Sequence, residues 1–333
     1  MRPLEECIKN KNTKSKPIWL MRQAGRYLPE FREIREKNPN FINLCLNSNL
    51  TPEITLQPIK RFNFDAAIIF SDILMLPYGL GQDVTFKKNF GPILGDPDIE
   101  KFSNVSEFEF SDKLKSIYEA LKITSQNELM KGKDLIGFVG APWTILVYMI
   151  NKQSPKKNLI KDILKNEVLI NKFILIIEKF LKIHIYNQVK NGASIIQIFD
   201  SWAGLLEEDS INELIYKPTS RIVNYVKSLN IPVICFPKGI KNYKKYYDVV
   251  KPDVINIDYE VNPKKIKEEI TTTIQGGLDP KILLTDKENL KKETLKYLDI
   301  FKDHPYIFNL GHGVLPETDP NMVDYLVKLV KDY

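Results

Sequence analysis

Residues 170–189, INKFILIIEKFLKIHIYNQV, followed by residues 194–199, SIIQIF, decide the fold class. In the first stretch Lys, Glu and His interrupt Ile, Phe and Leu at spacings that leave one apolar stripe, which predicts an amphipathic helix. The second is a short apolar run without strict alternation, as expected for a strand covered on both faces in a parallel sheet. A helix that feeds such a strand is part of a repeating unit, and the unit recurs in both directions along the chain. Similar runs occupy residues 17–21 (PIWLM), 66–70 (AAIIF), 135–139 (LIGFV), 232–236 (PVICF), 254–257 (VINI), 273–276 (TIQG) and 306–310 (YIFNL), which makes eight. Helical periodicity returns over residues 209–229, 240–250, 286–301 and 320–330, and the long connection over residues 82–134 predicts loops and helices that decorate the core.

Eight strand-then-helix units, with no Ser/Pro/Gly-rich linker and no repeat of fixed period, predict an α/β chain folded as a single-domain (β/α)8 TIM barrel over residues 1–333. Length alone, at roughly 150 residues per domain, would have favoured two domains. A doubly wound open sheet would place a Gly-rich fingerprint after its first strand, where residues 22–26 read RQAGR. Hydrophobic residues at 43%, charged at 27% and aromatic at 11% exclude the disordered, fibrous and disulfide-stapled classes. The net charge of +6 favours anionic ligands and is too small to imply nucleic acid. Cys7, Cys45 and Cys235 lie far apart without C-x-x-C spacing, so neither a disulfide framework nor a sequence-local zinc site is expected, and a reducing cytosol fits. Residues 1–16 are polar and no stretch offers about 18 uncharged apolar residues, so the expectation is a soluble cytoplasmic protein without a membrane partner.

A barrel of this kind builds its site just beyond the C-terminal ends of its strands. Arg22 and Arg26 follow the first strand on a loop that Gly25 and Pro29 bound, and two guanidiniums there suit capture of carboxylates or phosphates. The charged residues that follow, from Glu30 to Glu36, read as a solvated helical face with pairs at i,i+3 and i,i+4. Asp72 follows the second strand; a helix N-cap is its ordinary role, and a carboxylate that stabilises a cation is the functional one. Tyr148 lies in WTILVYMI, where a core aromatic is the default. Ser201 follows the fourth strand, where a turn-capping role is the commoner one. His312, between two glycines that permit close backbone approach, is the best ligand contact among the three histidines. The glycines after strands seven and eight make a phosphate-ester enzyme the runner-up, against which no catalytic Lys is evident at a strand end. No His-x-Cys or His-x-x-x-His pair supports zinc chemistry.

Longer motifs are more specific. Residues 17–33, PIWLMRQAGRYLPEFRE, and residues 137–149, GFVGAPWTILVYM, closely resemble the two signatures of the uroporphyrinogen decarboxylase family. IIFSDILMLPYGLG from Ile68, FDSWAG from Phe199, GGLDP from Gly276 and NLGHGVLPETDP from Asn309 resemble it too, in the family's order. The resemblance implies removal of carbon dioxide from the four acetate side chains of uroporphyrinogen III to give coproporphyrinogen III, by a homodimer without metal, pyridoxal phosphate or thiamine. Carried over position by position, it implies a substrate site of Arg22, Gln23, Ala24, Gly25, Arg26, Asp72, Tyr148, Ser201 and His312, with Arg35 and Phe41 as further members. Trp202 stands where some members have His. Asp72 is the implied stabiliser of a protonated pyrrole and Arg22 a possible proton donor. Two alternatives stay open: a corrinoid- or thiol-directed methyltransferase of the same barrel superfamily, and a non-enzymatic tetrapyrrole-binding protein.

Overall fold

The computed structural model describes residues 1–87, 90–155 and 166–333. Among these residues nine strands follow in chain order: β1 (Ala66–Ile68), β2 (Val84–Lys87), β3 (Gly91–Leu94), β4 (Asp134–Gly140), β5 (Ile195–Asp200), β6 (Val233–Pro237), β7 (Val254–Ile257), β8 (Thr273–Gly276) and β9 (Tyr306–Ile307). Seven form one parallel sheet in the order β1-β4-β5-β6-β7-β8-β9, and β2 and β3 make a separate antiparallel hairpin. Between sheet strands run helices such as Glu167–Lys190, Lys217–Ser228 and Lys287–Ile300. Glu167–Lys190 buries Phe173, Ile174, Ile177, Phe180, Leu181 and Ile185 in the stripe that its periodicity predicts. Asn166 opens it by accepting the Leu169 N–H at 3.0 Å.

The ring closes without a regular eighth strand. Residues 17–21 read as the first strand, but their ladder shrinks to a single parallel bridge between Ile18 and Phe308. On one side Phe308 N–H donates to Pro17 O at 2.8 Å, and on the other Asp65 N–H donates to Ile18 O at 3.0 Å. Side chains take over the remaining backbone donors: Asp65 accepts the Ile18 N–H, Gln23 the Leu20 N–H and Asn309 the Met21 N–H, at 2.8, 3.0 and 3.0 Å. The segment is thus bonded as fully as a strand, but by polar side chains that fix its exit angle. The outcome is a distorted (β/α)8 barrel.

Two other expectations change. The connection over residues 82–134 holds the β2–β3 hairpin besides its helices, whose four-residue strands are too short to stand out in the sequence; residues 88 and 89 lie outside the described residues. Residues 209–229 are not one helix: a π-helical turn, Asn212–Tyr216, separates Glu208–Ile211 from Lys217–Ser228. Pro218 has no N–H to continue the ladder, and the wide turn just before it absorbs the mismatch.

Inside the ring, Trp19, Met21, Ile68, Ile136, Ile195, Ile234, Phe236, Val254 and Ile307 pack together with Leu4, Cys7 and Ile8 of the helix Pro3–Lys9. That helix seals the N-terminal end of the barrel. Asp134, at the start of β4, accepts the Leu4 and Glu5 N–H groups at 3.1 and 3.4 Å, accepts from Ser194 Oγ at 3.0 Å and pairs with Arg2 at 3.2 Å. The opposite end, at the C-terminal strand ends, is where such a barrel holds its site.

Candidate active site

The loop after the first barrel segment is held rigidly. Gln23 is fully buried; it accepts the Leu20 N–H, donates to Ala66 O at 3.0 Å, and its own carbonyl accepts from Tyr27 Oη at 2.8 Å. Its side chain is therefore occupied in fixing the loop. Arg22 adopts φ +60°, a left-handed conformation uncommon outside glycine. Gly25 and Gly313 make room for it: a Cβ at Gly25 would lie 3.0 Å from Arg22 O, and one at Gly313 only 2.4 Å from Arg22 Cδ. Arg22 and Arg26 both reach solvent, and Ala24 is half-buried between them. The Arg22 guanidinium is nonetheless partly desolvated. This desolvation, with the like charge of Arg26, lowers its pKa, while Asp72 and Tyr148 oppose the shift.

Asp72, just past β1, is half-buried. Its Oδ1 accepts the Leu74 N–H at 2.8 Å and its carbonyl accepts the Met75 N–H at 3.2 Å, so it closes a turn of its own. The helix Met75–Gly79 has Leu74 at its N-cap, so the N-cap role expected for Asp72 is replaced by an Asx turn. Oδ2 has no protein donor among the described residues. Burial pushes the carboxyl up to about 6, against the pull of the Leu74 N–H and the Arg22 charge. The charge of Asp72 is felt by Arg22, Tyr148 and Cys45, which places these groups around it.

Tyr148 lies on the helix Pro142–Asn151 and is half-buried rather than a core residue. Its ring meets Trp202 edge-on at 5.9 Å, and burial followed by the charge of Asp72 raises the phenol pKa. Ser201, half-buried beside Trp202 at the end of β5, has no side-chain partner among the described residues. Beneath them sits a polar relay that the sequence did not expose. Buried Asp200 accepts from Thr144 Oγ1 at 2.6 Å, Thr144 in turn accepts the Trp202 N–H at 3.2 Å, and Trp143 Nε1 donates to Trp202 O at 3.0 Å. Burial raises the Asp200 carboxyl to about 7. The chain of bonds ties the Ser201–Trp202 turn to the helix that carries Tyr148.

His312 is half-buried, and desolvation first, then the charges of Arg22 and Lys238, lower its pKa to about 3. It is a neutral imidazole at physiological pH. Its flanking glycines do permit close approach: a Cβ at Gly311 would lie 2.3 Å from Tyr259 N. The Gly276 and Gly277 pair, by contrast, is packed against Leu310 O, Asn256 and the Tyr297 ring. At the rim, the Arg35 guanidinium lies 5.5 Å over the Phe41 ring and donates to Asn38 O; Phe41 packs on Phe70 and, across the hairpin, on Phe86 at 4.5 Å. Cys45 feels both Asp72 and Arg35, so the rim adjoins the same centre. The helical face from Glu30 to Glu36 is not laced internally as expected: Glu30 reaches Arg61, and Arg32 donates to Arg26 O and Tyr27 O.

The sequence reading also passed over Lys238, which stands immediately after β6. Its place at the end of the fifth barrel strand is the sequence signal that marks it. Among the described residues no group of three or more His, Cys, Asp or Glu is placed to hold a metal ion, and no helix is long and apolar enough to cross a membrane. A groove on the outer helices, lined among others by Lys179, Tyr186 and Tyr225, contains none of the site residues.

The uroporphyrinogen decarboxylase (URO-D) family model matches residues 1–333. The chain belongs to the uroporphyrinogen decarboxylase family. A relative from Rickettsia bellii named uroporphyrinogen decarboxylase is 44% identical over 328 residues, covering 95% of each chain. One from Rickettsia felis with the same name is 42% identical over 334 residues, covering 97% of this chain and 95% of the relative. Among solved structures, a methyltransferase from Methanosarcina mazei superposes with a TM-score of 0.80 over 99% of this chain and 97% of its own, at 16% identity. That likeness shows a shared barrel. The close sequence relatedness lies with the decarboxylases.

Proposed function

We propose that this site removes the acetate carboxyls of uroporphyrinogen III, giving coproporphyrinogen III, with Asp72 as the electrostatic centre and no cofactor. The reaction class follows from family membership: the chain is a carboxy-lyase of tetrapyrrole biosynthesis. The assignment of roles is our reading. A pyrrole serves as its own electron sink. Protonation at the ring carbon next to the one bearing the acetate gives a cation shared between the nitrogen and the acetate-bearing carbon; the carbon–carboxylate bond breaks, its electron pair forms an exocyclic methylene that neutralises that cation, and carbon dioxide leaves. A second proton on the exocyclic methylene leaves a methyl group as the first proton is released.

The observation that carries this assignment is the Asp72 carboxylate itself, with one oxygen held by Leu74 and the other unclaimed beside Arg22 and Tyr148. Such an oxygen accepts pyrrole N–H groups and offsets the developing positive charge. A unit pair at about 4 Å and an effective dielectric of about 20 is worth roughly 4 kcal/mol, on the order of a thousandfold in rate if realised in the transition state. Arg22 and Arg26 hold carboxylates of the side chains. Arg22 is also the candidate proton donor, which its lowered pKa favours. Neutral His312 positions the ligand, as do Tyr148, Ser201, Ala24 and Gly25, with Arg35 and Phe41 at the rim. The chain is proposed to work as one domain over residues 1–333, as a homodimer in the cytosol; its buried, unpaired cysteines suit a reducing compartment.

The test is product analysis of the purified protein with uroporphyrinogen under anaerobic conditions, before and after exhaustive chelation and dialysis. Coproporphyrinogen is expected to form through partly decarboxylated intermediates at an unchanged rate. Turnover that disappears on chelation and returns with zinc would contradict the reading and favour the methyltransferase branch.

A further inference from the structure

Uroporphyrinogen carries acetates and propionates around its whole circumference, yet Arg22 and Arg26 stand on one arc of the mouth. Counting round the ring from the segment that carries them, through β1, β4 and β5, the strand directly across is β6, the fifth of eight positions. Lys238 is the first residue beyond it. Its backbone is pinned, with its N–H donating to Asp200 O and its carbonyl accepting the Gly204 N–H, each at 3.1 Å. The side chain is half-buried and has no carboxylate partner among the described residues. Lys16, by comparison, is satisfied by three carbonyl oxygens, of Phe301, Lys302 and His304. The charge of Lys238 nevertheless reaches the His312 ring, which also feels Arg22.

A cation held partly out of water without an anion is unfavourable unless a ligand supplies one. We propose that Lys238 binds a propionate carboxylate of the tetrapyrrole on the side opposite Arg22 and Arg26, so that the macrocycle is clamped across the barrel mouth. Propionates are the fitting partners because they survive every round, whereas acetates become methyls one at a time. A single ammonium on a flexible stem also suits a carboxylate whose position shifts between rounds, where an arginine fork would demand one geometry.

The inference rests on the decarboxylase reading, so the unaltered protein is assayed in parallel. Lys238→Met keeps the apolar stem and removes the charge; Lys238→Gln repeats the measurement should the Met variant fold poorly. KM is measured anaerobically for uroporphyrinogen and for the intermediate that retains one acetate. The expected result is a rise in KM of about tenfold for both substrates, the loss of one charge-assisted hydrogen bond. We expect kcat to stay within about threefold, Lys238→Arg to recover much of the affinity, and the KM difference to narrow at high salt. An unchanged KM in folded variants, a rise confined to the octacarboxylate, or a fall in kcat alone overturns the role of Lys238 while the reaction stands. Absence of turnover in the unaltered protein overturns the reaction and the inference with it.

Discussion

At the scale of single residues, Asp72 and His312 show how one cavity sets opposite protonation states. Desolvation disfavours the charged form of each, so the carboxyl is pushed up to about 6 and the imidazole down to about 3. In the proposed role the ionised carboxylate is the working form, so kcat/KM is expected to fall on the acid side as pH drops through about 6; a profile flat down to pH 5 would argue against Asp72. His312 stays neutral throughout that window. Its replacement by Ala is expected to change affinity or the mixture of partly decarboxylated products and leave measurable turnover; total loss of activity in a folded variant would make it an acid or base instead. Arg26→Ala is expected to raise KM more than it lowers kcat, with the difference shrinking as salt rises. An unaltered KM at low salt would remove Arg26 from the binding site. Residue types and positions were readable in the sequence for all three, because each stands at a strand end. The charge states of Asp72 and His312 were not, since desolvation depends on which walls the fold brings around them.

At the scale of elements, the loop over residues 22–26 and the loop after β9 act as one unit, because Gly313 is the floor on which the Arg22 side chain lies. A methyl at Gly313 would meet Arg22 Cδ at 2.4 Å and Cγ at 2.7 Å, atoms of a side chain that can swing away. Gly313→Ala is therefore expected to lower activity while the melting temperature changes little. Gly276→Ala is expected to do the reverse in emphasis and lower stability strongly, since Gly276 has φ +81° and a Cβ there would press on Leu310 O at 2.8 Å. Comparable melting losses in the two variants would refute the distinction. The strands were legible wherever apolar residues run continuously, and β7 and β8 begin and end where their runs do. Residues 17–21 look the same in sequence, yet Asp65, Gln23 and Asn309 replace much of their ladder; two of these partners lie far along the chain, beyond what local periodicity carries. The Asp200–Thr144–Trp202 relay was hidden for the same reason.

At the scale of the whole molecule, the barrel separates stability from chemistry by its two ends. Asp134 anchors the sealing helix at the N-terminal end through two backbone N–H groups and Arg2. Asp134→Ala leaves those donors unmatched and is expected to lower stability by roughly 2–4 kcal/mol, with kcat unchanged in the folded fraction at low temperature; a kcat loss without destabilisation would show that the ends are coupled. At the other end the cavity holds Asp72 against its own hydration, so above pH 4 its ionisation increasingly opposes folding, fully so once pH passes about 6. Asp72→Asn removes that opposition and keeps an oxygen for the Leu74 N–H. A site built for catalysis at some expense in stability therefore makes a specific demand on this variant, compared with the unaltered protein at pH 8 by anaerobic turnover of uroporphyrinogen and by thermal melting. The expected result is a rate loss of roughly 2.7–4 kcal/mol in barrier, a hundred- to a thousandfold, with a melting temperature equal to or above that of the unaltered protein. Full activity in the Asn variant, or an activity loss matched by an equal loss of folded protein, would contradict the role of Asp72 as the charge that stabilises the protonated pyrrole.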